Sequence, residues 1–274
     1  MNIQALFDIR GQTAVITGGS GELGRGMAQG LIQAGARVAI VGAHEERVSR
    51  AVQALRSEGG EVIGVAANVN EQTALQDVLE QVNGVFGPVD ILVNAAGGNR
   101  PAATTSAERS FFDLDQQAIE SVFHLNFSGT LLACQVFGRD MAARGQGCIV
   151  NITSMNAVRP LTRIPAYSAA KAAVANFTQW LAVHMAQEYS PRIRVNAIAP
   201  GFFLTEQNRY LLFDEQSGDP TARGEAILSH TPMKRLGTPE DLVSTLLWLV
   251  SPASAFVTGV MVPVDGGFSA FSGV

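Results

Sequence analysis

Tyr167 and Lys171 stand four residues apart in Tyr-Ser-Ala-Ala-Lys, and Ser154 precedes the tyrosine by thirteen residues. On a helix, positions i and i+4 share a face, so a phenol and an ammonium point into the same space. An ammonium held near a phenol favours the phenolate and lowers a pKa that starts at about 10. A tyrosine tuned in this way exchanges a proton near neutral pH. Alone the pair is a weak signal, because a half-exposed tyrosine beside a solvated lysine has the same spacing.

A second, independent signal lies at the other end of the chain. Thr13–Thr17 reads as a short buried strand, followed at once by Gly18-Gly-Ser20-Gly21-Glu22-Leu23-Gly24. A helix-like run over 25–34 and a second strand over 37–41 come next. Strand, glycine-rich turn, helix and strand form the context that makes a glycine pattern a dinucleotide site. Glycines let the backbone approach a pyrophosphate, and the helix N-terminus supplies N–H groups and a positive dipole end.

The elements that must position these groups alternate between β and α along the chain. Further strands are expected over 61–67, 90–93, 148–152, 192–198 and 259–264. Helical patterns fill 45–57, 72–86, 115–143, 165–187 and 239–250. Apolar strands separated by helices indicate an α/β fold, with a parallel sheet covered on both faces. The exception is 202–235, a longer polar stretch after Pro200-Gly201; a segment of that length in a compact domain is usually functional, and it reads as a substrate lid.

The order of these pieces resembles the classical short-chain dehydrogenase/reductase family, over nearly the whole chain. The matching residues are Thr17-Gly18 with Gly21 and Gly24, Asn94-Ala95-Ala96-Gly97, and Asn126 in Leu-Asn-Phe-Ser-Gly. Ser154, Tyr167 with Lys171, Pro200-Gly201 with Thr205, and Asp265-Gly-Gly267 complete the set. The resemblance implies one Rossmann-type domain over 1–274, a doubly wound parallel sheet of about seven strands. It implies that Tyr167 carries the proton, Lys171 tunes it and holds the nicotinamide ribose, and Ser154 steadies the substrate oxygen. Asn126 is implied to hold a water linking Lys171 to solvent; a polar residue that merely kinks the helix over 115–143 is the alternative.

The same resemblance places NAD or NADP along Gly18, Ser20, Gly21, Leu23, Gly42, His44, Asn68, Val69, Asn94, Ala95, Gly97, Pro200, Gly201 and Thr205, besides Tyr167 and Lys171. Gly42 stands where the family usually has the acid that reads an adenosine ribose, and Ala43 where many NADP users carry arginine. The preference between the two dinucleotides is therefore open. Glu22 replaces the usual middle glycine of the turn and is expected to face outward, since inward it would repel a phosphate.

Within the family, the stretches 96–101, 111–115, 154–165, 201–209, 230–233 and 264–274 look like the branch of D-mannonate oxidoreductases, also called fructuronate reductases. That likeness implies a sugar-acid substrate, with a ketone for hydride and a carboxylate for arginine. Arg100, Arg163 and Arg209 are the candidate cations and Asn156 a candidate polar contact. Phe202, Phe203, Leu211 and Leu212 keep a more apolar ketone, such as a ketoacyl thioester, as the alternative. A nucleotide-binding fold without turnover is the third reading, opposed by the presence of all four residues Asn126, Ser154, Tyr167 and Lys171.

Composition agrees with an enzyme of this kind. An apolar fraction of 47% supports a sizeable core, and a net charge of -5 gives no electrostatic footprint for nucleic acid. No run of apolar residues is long enough to span a membrane, and residues 1–8 do not read as a signal peptide. Cys134 and Cys148 fall in a helix-like and a strand-like segment and read as buried thiols, which points to the cytoplasm. The four histidines have no ligand spacing, so no metal site is expected. The helix over 165–187 is apolar on too many faces for a monomer, and a homotetramer is expected.

Overall fold

Seven runs rich in apolar residues lie side by side in one sheet of the computed structural model, which describes residues 2–273. They are Thr13–Thr17 (β1), Arg37–Gly42 (β2), Val62–Ala66 (β3), Ile91–Asn94 (β4), Gly147–Ile152 (β5), Ile193–Pro200 (β6) and Met261–Val264 (β7). The spatial order is β3-β2-β1-β4-β5-β6-β7, with every neighbouring pair parallel. The order reverses between β1 and β4, and such a switch point opens a crevice at the carboxyl ends of the strands.

Helices cover both faces, in the doubly wound arrangement. The chain runs through Ile3–Leu6 (α1), Glu22–Gln33 (α2), Glu45–Ser57 (α3), Gln72–Phe86 (α4), Gln116–Phe123 (α5), Gly129–Arg144 (α6) and Pro165–Glu188 (α7). Glu206–Leu212 (α8), Ala222–His230 (α9) and Glu240–Val250 (α10) follow. Alternation along each strand feeds two cores. Ala14 and Ile16 of β1 face Met27, Leu31, Val52 and Leu246 from α2, α3 and α10. Val15 faces the other way, in a row that runs Ala39, Val15, Leu92, Ile149, Val195 across five strands and packs on Leu75, Phe137 and Met185. Complete burial of side chains such as Ile16, Leu92 and Phe137 contributes about 1.5–3 kcal/mol each.

Two departures from the expected elements bear on the site. The helix expected over 115–143 is interrupted between α5 and α6 by a π turn, His124–Ser128, with Asn126 inside it. The segment 202–235, read from sequence without secondary structure, contains α8 and α9. Strand ends move by a residue or two, β6 extending to Pro200. Val274, the last residue of the branch-like tail, lies outside the described residues.

Candidate active site

All seven parallel strands end on the same edge of the sheet, and the candidate residues gather there. After β1, Gly18 turns the chain with φ +69°, a conformation that disfavours any side chain. A Cβ on it would lie 2.7 Å from the Ala95 and Ala96 backbone, so the turn after β1 and the loop after β4 touch without space for one. Gly24 is equally tight, since its Cβ would lie 2.3 Å from the Gly18 carbonyl. Gly21 differs: as the N-cap of α2, its Cβ would meet only the Gly18 carbonyl, at 3.3 Å. The open side of Gly21 lies at the first-turn amides of α2, which a helix cannot satisfy internally. This is a cradle that fits a dinucleotide pyrophosphate.

At the end of β2, a Cβ on Gly42 would lie 2.4 Å from Ser20 Oγ, so the serine hydroxyl occupies the space of a longer side chain there. His44 is exposed at the N-terminus of α3 and makes no side-chain cap. Asn68 donates to Glu71 at 2.8 Å and accepts from Asn70 N at 3.1 Å, shaping the turn into α4. Val69 is buried against Gly129. Leu23 packs on the core beneath the turn. Pro200 ends β6, Gly201 presses on Asp265, and Thr205 opens α8.

Tyr167 and Lys171 lie one turn apart on α7, with Lys171 Nζ 5.7 Å from the tyrosine ring centre. Ser154 follows β5, and its hydroxyl lies near enough to the Tyr167 phenol to favour the phenolate. Lys171 is buried and donates to the Ile152 carbonyl at 2.8 Å. Asn126 sits on the opposite wall, and Gly97 lies between: a Cβ there would come 2.7 Å from Asn126 Oδ1 and 3.1 Å from Lys171 Nζ. Burial pushes the Tyr167 phenol up, and the Ser154 hydroxyl pulls it part of the way back. Burial brings Lys171 down to about 8. The expected downward pull of Lys171 on the phenol does not appear: desolvation of the half-buried tyrosine raises it, and Ser154 is what acts the other way.

Asn126 lies where the helix is distorted, as the alternative reading of it expected. The π turn lets its Nδ2 donate to the Val122 carbonyl at 2.8 Å and to the Gly98 carbonyl at 2.7 Å, while Oδ1 accepts from Gly98 N at 3.1 Å. π turns of this kind recur at functional sites. Both amide protons are engaged by protein, so only acceptor capacity is left for a water. Behind it runs a buried relay in which Asn94 Nδ2 donates to Asn151 Oδ1 at 2.9 Å and Asn151 Nδ2 to Thr178 Oγ1 at 2.9 Å. The Asn94 side chain thus ties β4, β5 and α7 together, and only its backbone fronts the crevice.

Asn156, expected to contact substrate, is buried behind Ser154. Its Nδ2 donates to Ser154 Oγ at 3.2 Å, and its Oδ1 accepts from Leu161 N at 2.9 Å and Ser168 Oγ at 3.2 Å. That arrangement aims the serine hydroxyl at Tyr167. The three arginines are exposed and lie apart from one another in the chain. Arg163 is held at φ +74° in the loop before α7, and its charge helps keep the Glu108 carboxyl below its usual range, after the larger effect of Ser106. A cavity of about 540 Å³ opens beside it, lined by Phe111, Asn156, Leu161, Ser168 and Ala172, with Asn156 its link to Ser154. Sequence reasoning missed the role of Asn156 and the reach of Glu22, whose Oε2 accepts from Glu206 N at 2.8 Å. Nothing in the local spacing signals either contact.

Comparison with known proteins accounts for this arrangement. A family model described as enoyl-(acyl carrier protein) reductase matches residues 20–269. The chain is 49% identical over 276 residues to an uncharacterized oxidoreductase, UxuB, of Bacillus subtilis (strain 168), covering 97% of this chain and 98% of that one. It is similar to the solved structure of a candidate D-mannonate oxidoreductase from Haemophilus influenza with bound NAD, at 46% identity, 100% of both chains and a TM-score of 0.92. It is also similar to a gluconate 5-dehydrogenase from Burkholderia cenocepacia J2315 in complex with NADP and tartrate, at 30% identity, 98% of this chain, 99% of that one and a TM-score of 0.86.

Proposed function

The chain belongs to the short-chain dehydrogenase/reductase family, and from that premise we propose that it interconverts D-mannonate and D-fructuronate. As a member it is an NAD(P)-dependent oxidoreductase. The observation that carries the reading is that Asn126 and Lys171 meet at Gly97 while Tyr167 stands between Lys171 and Ser154, in a chain 46% identical to the candidate D-mannonate oxidoreductase. The dinucleotide, when bound, supplies or accepts the hydride. The chain's own residues do the rest. Ser154, aimed by Asn156, donates to the substrate oxygen; Tyr167 gives it a proton in reduction and takes one in oxidation; Lys171 steadies the phenolate that results.

The raised phenol keeps Tyr167 protonated for reduction across neutral pH, while the Lys171 ammonium is present below about 8 and lost above it. The kcat/KM for ketone reduction should therefore be level in neutral buffer. It should fall above pH 8, approaching a loss of about tenfold per pH unit. A steady-state pH profile checks this; a level profile up to about pH 10 would remove the lysine from the reaction.

The segment 202–235 is read as the substrate lid. Of its apolar residues, Phe203 and Leu212 are buried in the protein and Phe202 packs on Phe268, while Tyr210, Leu211 and Met233 are exposed. A lid so arranged presents both polar and apolar surface, and the sugar-acid reading is supported by the 46% identity to the candidate D-mannonate oxidoreductase. A sugar-acid carboxylate taken out of water needs a cation. Arg100 precedes a short turn after β4 and Arg163 borders the cavity beside Asn156, and Arg209 on α8, within the lid, is taken as the favoured clamp. Arg209→Met should raise the Michaelis constant for fructuronate by about tenfold or more and leave reduction of an uncharged ketone nearly unchanged. Equal effects on both substrates would assign the arginine no part in carboxylate recognition.

The outer face of α7 suggests assembly. Trp180 and Val183 are exposed, and the tryptophan stacks on His184 with ring centres 4.7 Å apart. An apolar and aromatic strip of this kind is costly to leave in water. We propose that it pairs with its counterpart in a homotetramer built from two-fold dimers. Light scattering at micromolar concentration should give a particle of about four chains, and a 28.9 kDa monomer would contradict it.

A further inference from the structure

The lid leaves the site after β6 and rejoins the body before α10, and it is tied at both ends. At the far end, the chain after β7 holds it: Met233 N donates to the Gly266 carbonyl at 3.1 Å, and His230 packs on Phe268 with ring centres 4.7 Å apart. At the near end, a side chain of the dinucleotide turn reaches across. Glu22 is the first residue of α2, and its Oε2 accepts from the backbone N–H of Glu206, the first residue of α8, at 2.8 Å. The two positions are 184 residues apart in the chain.

We propose that Glu22 is a clasp whose carboxylate holds the first lid helix against the dinucleotide turn and slows release of the dinucleotide. The proposal rests on reading 202–235 as a lid. The N–H of a first helical residue has no partner within its helix, and a carboxylate is the strongest acceptor a protein can offer it. Glu22 also stands at the positive end of α2, where a bound phosphate would compete with its charge. Turned towards Glu206, the carboxylate is engaged away from that position. The chain before α8 is anchored, since Phe203 is buried and Leu204 N donates to the Gly237 carbonyl at 3.0 Å, whereas α8 itself is held to the dinucleotide turn by one hydrogen bond to a partly exposed side chain. α8 is thus built to lift from the dinucleotide turn while the chain before it stays anchored.

Three variants of the full chain separate a clasp from a mere charge. Glu22→Ala removes the acceptor, and Glu22→Gln keeps an acceptor oxygen without the charge. Glu206→Pro removes the donor at a position where proline suits a helix start, after Thr205, whose φ of -135° and ψ of 156° fit a residue before proline. Hydrogen exchange of the α8 amides should quicken by about five- to tenfold in Glu22→Ala and in Glu206→Pro, and by less than about twofold in Glu22→Gln. The double variant Glu22→Ala with Glu206→Pro should be no faster than either single one. Release of NADH from the loaded protein, followed by fluorescence, should quicken in the same two variants. Unchanged exchange in Glu22→Ala and Glu206→Pro would overturn the clasp, and equal acceleration in Glu22→Gln would replace it with a charge effect. Faster exchange without faster NADH release would overturn its control of the dinucleotide. If neither NADH nor NADPH binds, the functional reading fails while exchange still decides the clasp.

Discussion

Tyr167→Phe should lower turnover by about 10²–10⁴-fold and leave dinucleotide affinity within about twofold. The substitution keeps the ring and its place on α7 but deletes the hydroxyl that Ser154 reaches and that reduction requires. Lys171 still donates to the Ile152 carbonyl in this variant, so the lysine side of the site stays in place. Because the lost proton is needed only as the carbonyl accepts hydride, the effect should appear in kcat and kcat/KM together, with little change in substrate binding. Single-turnover kinetics, with dinucleotide affinity measured separately by fluorescence titration, check both halves. Retention of most of the wild-type rate would transfer the proton to another group.

Gly18→Ala and Gly21→Ala should part company. At Gly18, φ is +69° and the new Cβ would lie 2.7 Å from the Ala95 carbonyl, which is backbone and cannot step aside. The left-handed conformation alone costs an alanine roughly 1–2 kcal/mol, and the overlap should bring the loss of stability to at least about 3 kcal/mol. At Gly21, φ is -79° and the space is open, so the folded protein should be nearly as stable as wild type. The methyl group there stands in the cradle at the start of α2, and dinucleotide affinity should fall about tenfold or more. Denaturant unfolding of the unliganded protein and a binding titration measure the two effects. If Gly21→Ala binds as tightly as wild type, the pyrophosphate does not approach at that position.

The parts of this site that could be read from sequence are those whose logic is local. Tyr167 and Lys171 share a helix face by their spacing, and the glycine turn is bracketed by β1 and α2, so both were legible. The apolar strands declare a parallel sheet because the five inner ones, β2, β1, β4, β5 and β6, are buried on both faces, as Val15 and Ile16 show by facing opposite cores. The π turn at Asn126 was hidden because apolar periodicity runs on from α5 to α6 and does not register one widened turn. The helices of the lid were missed because α8 is only seven residues long and polar over its first turn. Thr221 was a usable sign of α9, since its side chain accepts from Gly224 N at the helix start. Asn156 is a substrate-contact candidate by its place in the branch-like stretch 154–165, yet its amide is turned inward to Ser154 by Leu161 and Ser168. Glu22 is expected outward, away from phosphate; its carboxylate reaches α8, and that partner lies 184 residues along the chain, where no local pattern points to it.

The most direct test of the proposed function is the loss of NADH or NADPH absorbance when the wild-type protein meets D-fructuronate, set beside 5-keto-D-gluconate and an uncharged ketone at the same concentrations. The account requires D-fructuronate to be reduced with the highest kcat/KM of the three, yielding D-mannonate, and D-mannonate to drive the reverse reaction with NAD or NADP. No oxidation of either reduced dinucleotide by D-fructuronate, alongside brisk reduction of one of the other ketones, would contradict it.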